Sequence, residues 1–240
     1  MTWDISTLVG KVRIAIDEIV KDGFDDDFTV DADTEIRQAL QYAMNQLLDE
    51  VPLEALTPVD LCEVVGDMDS VHEKFIDGSG IILLPDNFLR LVSFKLHSWR
   101  LPVHDVLDPM SDEYKRQASV WGRGSCHKPR VVVTPSVGGH LRLQYWTAGR
   151  RAVPITAVGE LPSPSSPTYY DHAIDYLQYI PSITIDDEAA TIDSCLNGAC
   201  EMQLVYRAAG IFLEGKKEGN LAQRMYALSA SITPTTPNES

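Results

Sequence analysis

The stretch DTEIRQALQYAMNQLLDEVP, Asp33 to Pro52, decides how this chain is read. Ile36, Ala39, Leu40, Ala43, Leu47, Leu48 and Val51 recur on one face, with Glu35, Gln38, Gln41, Asn45 and Asp49 largely opposite. That is an amphipathic helix burying one stripe. Asp33 is the expected N-cap, because its carboxylate can accept from the free N–H groups of the first turn. Pro52 ends the helix, since it has no N–H to continue the ladder.

Upstream, Ile5, Leu8, Val9, Val12, Ile16, Ile19 and Val20 make a second amphipathic helix, closed near Gly23 by a left-handed cap. Downstream of Pro52, short β-favouring runs alternate with turn residues as far as Ile185. Strands are expected over 60–65, 73–76, 81–84, 88–99, 130–134 and 141–146. Gly138 and Gly139 join the last two as a hairpin, and 77–80 is a turn. A short polar helix is expected over 110–119, an extended loop over 161–167, and 169–180 suits a helix or a strand equally. From Ala189 helical spacing returns: Cys195, Ala199, Met202, Val205, Tyr206, Ala209 and Phe212 share a face, and 221–228 forms a last helix. The fold class that follows is α+β. Residues 1–52 supply N-terminal helices, 53–188 a β-rich insertion, 189–230 C-terminal helices, and 231–240 a disordered tail.

Charge narrows the function. The chain has 35 Asp and Glu against 20 Lys and Arg, a formal charge of −15, so it repels nucleic acid at long range. Its four cysteines are too few for a disulfide-built fold of 240 residues, which points to a reduced, cytosolic origin. No secretory signal is read at Met1, and no apolar run approaches the roughly 20 residues that cross a bilayer.

The candidate chemical motifs each read more simply as structure. Gly210 to Lys217 nearly fits a phosphate-binding loop, but its middle is apolar and Lys217 stands where a magnesium-holding hydroxyl belongs, so it is a helix end. Cys195 and Cys200 are five apart, Cys126 and His127 lack a second ligand pair, and His72, His97, His104, His127, His140 and His172 show no ligand spacing. Ser79 and Ser125 are turn residues rather than nucleophiles. The acidic groups Asp25–Asp27 and Asp186–Glu188 lack calcium-loop spacing and read as solvated loops. Arg142, Arg150 and Arg151 beside Tyr145 and Trp146 mix basic and aromatic residues as a nucleic-acid groove does, but read as a strand end or protein contact. Trp99 to Val103 reads as core and turn. The chain is therefore expected not to be an enzyme. No catalytic, cofactor-binding or metal residues are nominated, no cofactor is implied, and nucleic-acid-contacting residues are unknown at this level.

The segment LPDNFLRLVSFKL, Leu84 to Leu96, followed by Trp99-Arg100-Leu101-Pro102-Val103, resembles a run in head–tail connector (neck ring, adaptor) proteins of tailed bacteriophages, the ring proteins of crAss-like phages most of all. The order of the downstream features agrees: Ser111–Gln117, Gly122 to Gly124, the hairpin, Tyr179-Ile180-Pro181, then helices. The resemblance implies a helical bundle built from both chain ends with an inserted β domain. It implies a structural virion protein, assembled in the host bacterial cytoplasm into a dodecameric ring between portal and tail. Its partners would be other copies of itself, the portal, and neighbouring neck and tail rings. Genomic DNA would pass through the channel without specific binding, and no membrane is involved. The alternatives are a tail-completion or tail-terminator protein, and an accessory hydrolase or binding protein.

Overall fold

The computed structural model of the chain describes residues 1–19, 31–75, 78–119, 122–136, 138–147, 172–186 and 188–232. Within them run β1 (Thr2–Asp4), α1 (Ile5–Ile19), α2 (Asp31–Glu50), β2 (Val59–Asp60), α3 (Leu61–Val65), β3 (His72–Lys74), β4 (Ser79–Leu83), β5 (Phe88–Leu96), α4 (Asp112–Arg116), β6 (Arg130–Pro135), β7 (Leu141–Trp146), β8 (Ile174–Pro181), β9 (Thr191–Asp193), α5 (Glu201–Gly215) and α6 (Gly219–Ser231). The elements segregate, as in an α+β fold. Met1–Thr57 and Ser182–Ser240 form one unit, and Pro58–Pro181 the other.

The discontinuous unit is organised around α5, which packs against α1, α2 and α6. Gln203, Leu204, Val205, Ala208, Ala209, Gly210, Phe212 and Leu213 are buried, far more than one stripe, as a helix enclosed by three neighbours requires. Helices α1 and α2 each offer a single apolar face: Ile5, Leu8, Val12 and Ile16 on one, Ile36, Leu40, Met44, Leu47 and Leu48 on the other. Burying each such side chain contributes roughly 1.5–3 kcal/mol relative to leaving it exposed. The α5–α6 crossing is close because residue 210 has no side chain: a Cβ there would lie 2.6 Å from the Tyr226 ring. Tyr226 in turn donates to Glu214 at 2.7 Å, and the buried Ser229 hydroxyl donates to the Gln203 carbonyl at 3.0 Å.

Two devices tie the chain ends together. Strands β1 and β9 pair antiparallel, Trp3 opposite Ile192, and Asp4 then caps α1 by accepting from the Ser6 N–H at 3.2 Å. The extended segment after β8 is held along α2 by side chains. Asn45 donates to the Ile183 carbonyl at 2.8 Å and accepts from its N–H at 2.7 Å. Gln41 accepts from the Ile185 N–H at 2.9 Å, and Arg37 donates to the Ala189 carbonyl at 3.1 Å. The face of α2 opposite its apolar stripe thus binds chain rather than water alone.

The continuous unit holds two antiparallel sheets, with strand orders β2-β8-β5 and β3-β4-β7-β6. Ile82, Val131, Leu143 and Tyr145 from the larger sheet and Phe94, Leu96, Leu177 and Tyr179 from the smaller share one core with Leu61, Trp99 and Val103. Phe94 and Trp99 meet edge-to-face at 5.1 Å, and Trp99 and Tyr145 at 6.0 Å.

Several expectations change. Residues 61–65 are helix rather than strand: Asp60 caps them, accepting from the Cys62 N–H at 3.0 Å, and Gly66 ends the turn at φ 70°. Residues 174–181 are a strand, paired across to β5. Residues 191–193 are strand, so Cys195 and Ala199 precede α5 and do not share its face. Met202 is exposed on α5. Helix α2 begins at Asp31, which puts Asp33 inside the first turn, where it pairs with Arg13 at 2.5 Å instead of capping. The pattern change read at 53 and 188 and the division at Thr57/Pro58 and Pro181/Ser182 differ by a few residues. Residues 53–57 and 182–188 belong with the helices because Thr57 donates to the Cys195 carbonyl at 2.9 Å and Ile183 is held by Asn45. Gly23, Asp25–Asp27, 161–167 and 233–240 lie outside the described residues.

Candidate functional site

Among the described residues, three buried titratable side chains converge inside the β unit. Tyr145, on β7, is fully buried, and its hydroxyl lies 2.6 Å from His72 Nε2 and 2.8 Å from His172 Nδ1. His72 opens β3 and His172 stands just before β8. Gly80 on β4 lies directly opposite Tyr145, and a Cβ there would sit 2.3 Å from the phenol ring. Glycine at 80 therefore makes room for the ring, a strand role rather than the turn expected at 77–80.

Burial sets the charge state of this group. It pushes the His72 imidazole down to about 4, helped by the nearby Lys74 and His172, and pushes the Tyr145 phenol up. At neutral pH His72 and Tyr145 are both uncharged. The phenol O–H donates to one ring nitrogen and its oxygen accepts from the other ring's N–H. The cluster is a hydrogen-bonded polar knot in an apolar core. A general base must instead reach a substrate proton.

The other sequence candidates are dispersed. Gly210 to Gly215 are turns of α5, so their N–H groups are spent on the helix. Lys216 follows, bonded to Glu35 at 2.5 Å, and no phosphate cradle exists there. Cys195 and Cys200 are buried, and burial pushes both thiols up. Cys62 is raised to about 11 by burial and by Asp60, so none of the three is a ready thiolate. Among the described residues, no three His, Cys, Asp or Glu side chains group as a metal site needs. His97 lies 3.1 Å from Asp175, His104 3.0 Å from the Val92 carbonyl, and His140 2.6 Å from Asp86, each at a separate place. Ser79 is the buried first residue of β4 rather than a turn residue, while Ser125 does make a turn with Lys128. Tyr145 and Trp146 are both buried, so neither is a stacking platform. Arg142 donates to Thr134 at 3.2 Å, and Arg150 and Arg151 lie outside the described residues.

The helical unit offers a cleft of about 220 Å³ between α2 and α5, lined by Tyr42, Ile211 and Phe212 and flanked by the Glu35–Lys216 pair. It is smaller than the clefts that enclose a cofactor, which run from about 300 Å³ upward. Tyr42 stands 62% exposed at its edge. Among the described residues, no helix is long and apolar enough to cross a membrane.

One signal was present in the sequence but hidden by the total. From Tyr114 to Arg151 there are eight Lys and Arg and no Asp or Glu. From Ala152 to Tyr206 there are eight Asp and Glu and no Lys or Arg. By unit, the helical part holds 21 acids and 8 bases, a charge of −13, and the β part 14 acids and 12 bases, a charge of −2. Counting charge per segment instead of per chain would have found it.

The chain matches no protein-family model and no curated protein.

Proposed function

We propose that this chain is a structural protein of a tailed-phage virion, a ring-forming adaptor of the neck. The observation that carries the reading is the discontinuous helical unit, closed by residues from both chain ends, which holds the β-rich run 58–181 as an insertion. That plan agrees with the resemblance of residues 84–103 and the order of features after them. The chemistry is compatible: the His72–Tyr145–His172 group is a buried, hydrogen-bonded knot, and the helical cleft is small and flanked by an ion pair. A charge of −15 suits a channel wall past which DNA slides without adhering. Ring closure requires a heterologous contact between copies, through two different surfaces of one chain.

The test is electron microscopy of the purified chain mixed with its cognate portal, together with mass spectrometry of purified virions. Decorated portals or closed rings, and the chain in virions, are expected. A chain that ignores the portal and is missing from virions overturns the reading. A chain found only at the distal end of the tail tube moves it to a tail-terminator role.

A further inference from the structure

We propose that copies of this chain associate head to tail by charge, a basic surface of one β unit seating against an acidic surface of the next copy's helical unit. The inference deepens the ring reading above and rests on it.

The basic surface is knitted together by the loop that follows α4. Gln117 accepts from the Gly124 N–H at 2.7 Å, Arg123 Nε donates back to the Gln117 carbonyl at 3.2 Å, and Arg100 N–H donates to the Cys126 carbonyl at 3.1 Å. Gly122 lies so close to the Arg116 carbonyl that a Cβ would sit 2.8 Å from it, and Ser125 and Lys128 close a turn through two 3.0 Å bonds. These contacts gather Arg100, Lys115, Arg116, Arg123, Lys128 and Arg130 in one region, of which Arg100, Lys115, Arg116 and Lys128 are exposed. The acids around them are Asp112, paired with Lys115 at 3.0 Å, Glu113, paired with Arg130 at 2.7 Å, and Asp105 and Asp108 in the preceding loop. Leu101, 61% exposed, and Met110, 83% exposed, add apolar surface beside it. A basic region flanked by exposed apolar side chains has the composition of a protein contact rather than of a solvated face.

The acidic surface is formed by the β1–β9 pair and the segment that leads into it. Asp4 and Asp193 are exposed on the pair, and Asp186 and Glu188 are exposed in the residues just before β9. Nearby positive groups are few: the Met1 amino group, donating to the Ser194 carbonyl at 2.7 Å, and Arg37, donating to the Ala189 carbonyl at 3.1 Å. The helical unit's −13 makes it the strongest anionic partner that this chain itself supplies for a basic patch. Complementary patches steer encounter and fix register, and two different patches on one chain produce an open or closed series of copies rather than a twofold dimer. Duplex DNA is the competing anion. A neighbouring copy carries the same −15 and is repelled at long range as DNA is, so the contact rests on short-range pairing of the two opposite patches, and the test below separates the two partners.

The test is a charge swap on the full chain, read by sedimentation velocity at about 20 mM and about 500 mM salt, with and without portal. Wild type is expected to associate at low salt and dissociate at high salt. Arg116→Glu with Lys128→Glu, and separately Asp186→Lys with Glu188→Lys, should each weaken association at least about tenfold. Mixed one to one, the two variants should associate again, because each reversed patch then faces an opposite charge in alternating copies. Association that ignores both reversals, or variants that fail to rescue each other, overturns the proposal. So does a wild type that stays monomeric with portal at low salt. Retardation of duplex DNA that the Arg116/Lys128 variant abolishes, with self-association unchanged, assigns the patch to DNA and also overturns it. Portal binding is scored separately. A chain that decorates portals but ignores the reversals keeps the neck reading and loses this contact, and the reverse outcome does the opposite.

Discussion

The two units solve the problem of closing a core in opposite ways. The β unit is one uninterrupted run, Pro58–Pro181, and its strands find partners within that run. The helical unit cannot close until α5, far along the chain, meets α1 and α2. The difference shows in their polar chemistry. The β unit buries a hydrogen-bonded His72–Tyr145–His172 knot among aromatic rings. The helical unit keeps its ion pairs at the rim, Lys11–Glu201 at 2.6 Å and Arg207–Glu50 at 2.8 Å, around an almost wholly apolar centre. The β unit's stability should therefore fall already between pH 6.5 and about 4. The shifted carboxyl groups of the helical unit, Asp4 and Glu50, are held below their usual range and lose their contribution only in stronger acid.

The largest expected effect tests whether the units are separable at all. Phe94→Ala empties the centre of the β core and should cost about 3–5 kcal/mol. Hydrogen exchange read by peptide should show β5 and β8 losing protection while α5 keeps it. Equal loss in both units would dissolve the comparison.

Acid should act mainly on the β unit. The folded His72 titrates at about 4 against an unfolded value of 6.5, so between those pH values the unfolded chain binds a proton that the folded chain does not. Stability is full above pH 6.5 and falls as pH drops toward 4, by on the order of 3 kcal/mol in all. His72→Phe should flatten that part of the profile in urea melts at pH 7, 5.5 and 4.5. An unchanged slope would place the acid sensitivity elsewhere.

Gly210→Ala sharpens the account of the helical unit. Alanine is favoured over glycine in a helix by about 1 kcal/mol, but its Cβ would meet the Tyr226 ring at 2.6 Å. The substitution should destabilise wild type by roughly 1 kcal/mol and stabilise a Tyr226→Ala background by a similar amount, a sign change visible in thermal melts. The smallest effect belongs to Arg207→Ala, which removes a rim pair with Glu50 and should cost no more than about 1 kcal/mol, shrinking with added salt.

The parts of the fold legible in sequence are those whose partners are close in sequence or whose period is long. The stripes of α1 and α2 repeat over several turns, and the β6–β7 hairpin closes on Gly138 and Gly139, both at positive φ. What was illegible depends on distant partners. Nothing local in Thr191–Asp193 says strand. Its identity comes from Thr2–Asp4, and the helical spacing of Cys195 and Ala199 with α5 is coincidental. Residues 61–65 are β-favouring by composition, yet one hydrogen bond from the Cys62 N–H to the Asp60 carboxylate and a Gly66 at positive φ turn them into helix. Gln41 and Asn45 read as solvent-facing because the backbone they hold comes from residues 183–185. As for the site, the spacing of the histidines gave no sign that two of the six share a partner. The meeting of His72, Tyr145 and His172 across three strand ends was therefore not readable.

The same discontinuity sets a timetable for synthesis. Helix α2 leaves the ribosome with Glu50, and α5 is complete only at Gly215, 165 residues later. At translation rates of about 5–20 residues per second, the apolar faces of α1 and α2 wait roughly 10–30 s for their central partner. The β unit is finished during that interval. For that time the nascent chain is a folded β unit preceded by two sticky amphipathic segments, the state in which a chaperone or another nascent copy would find it.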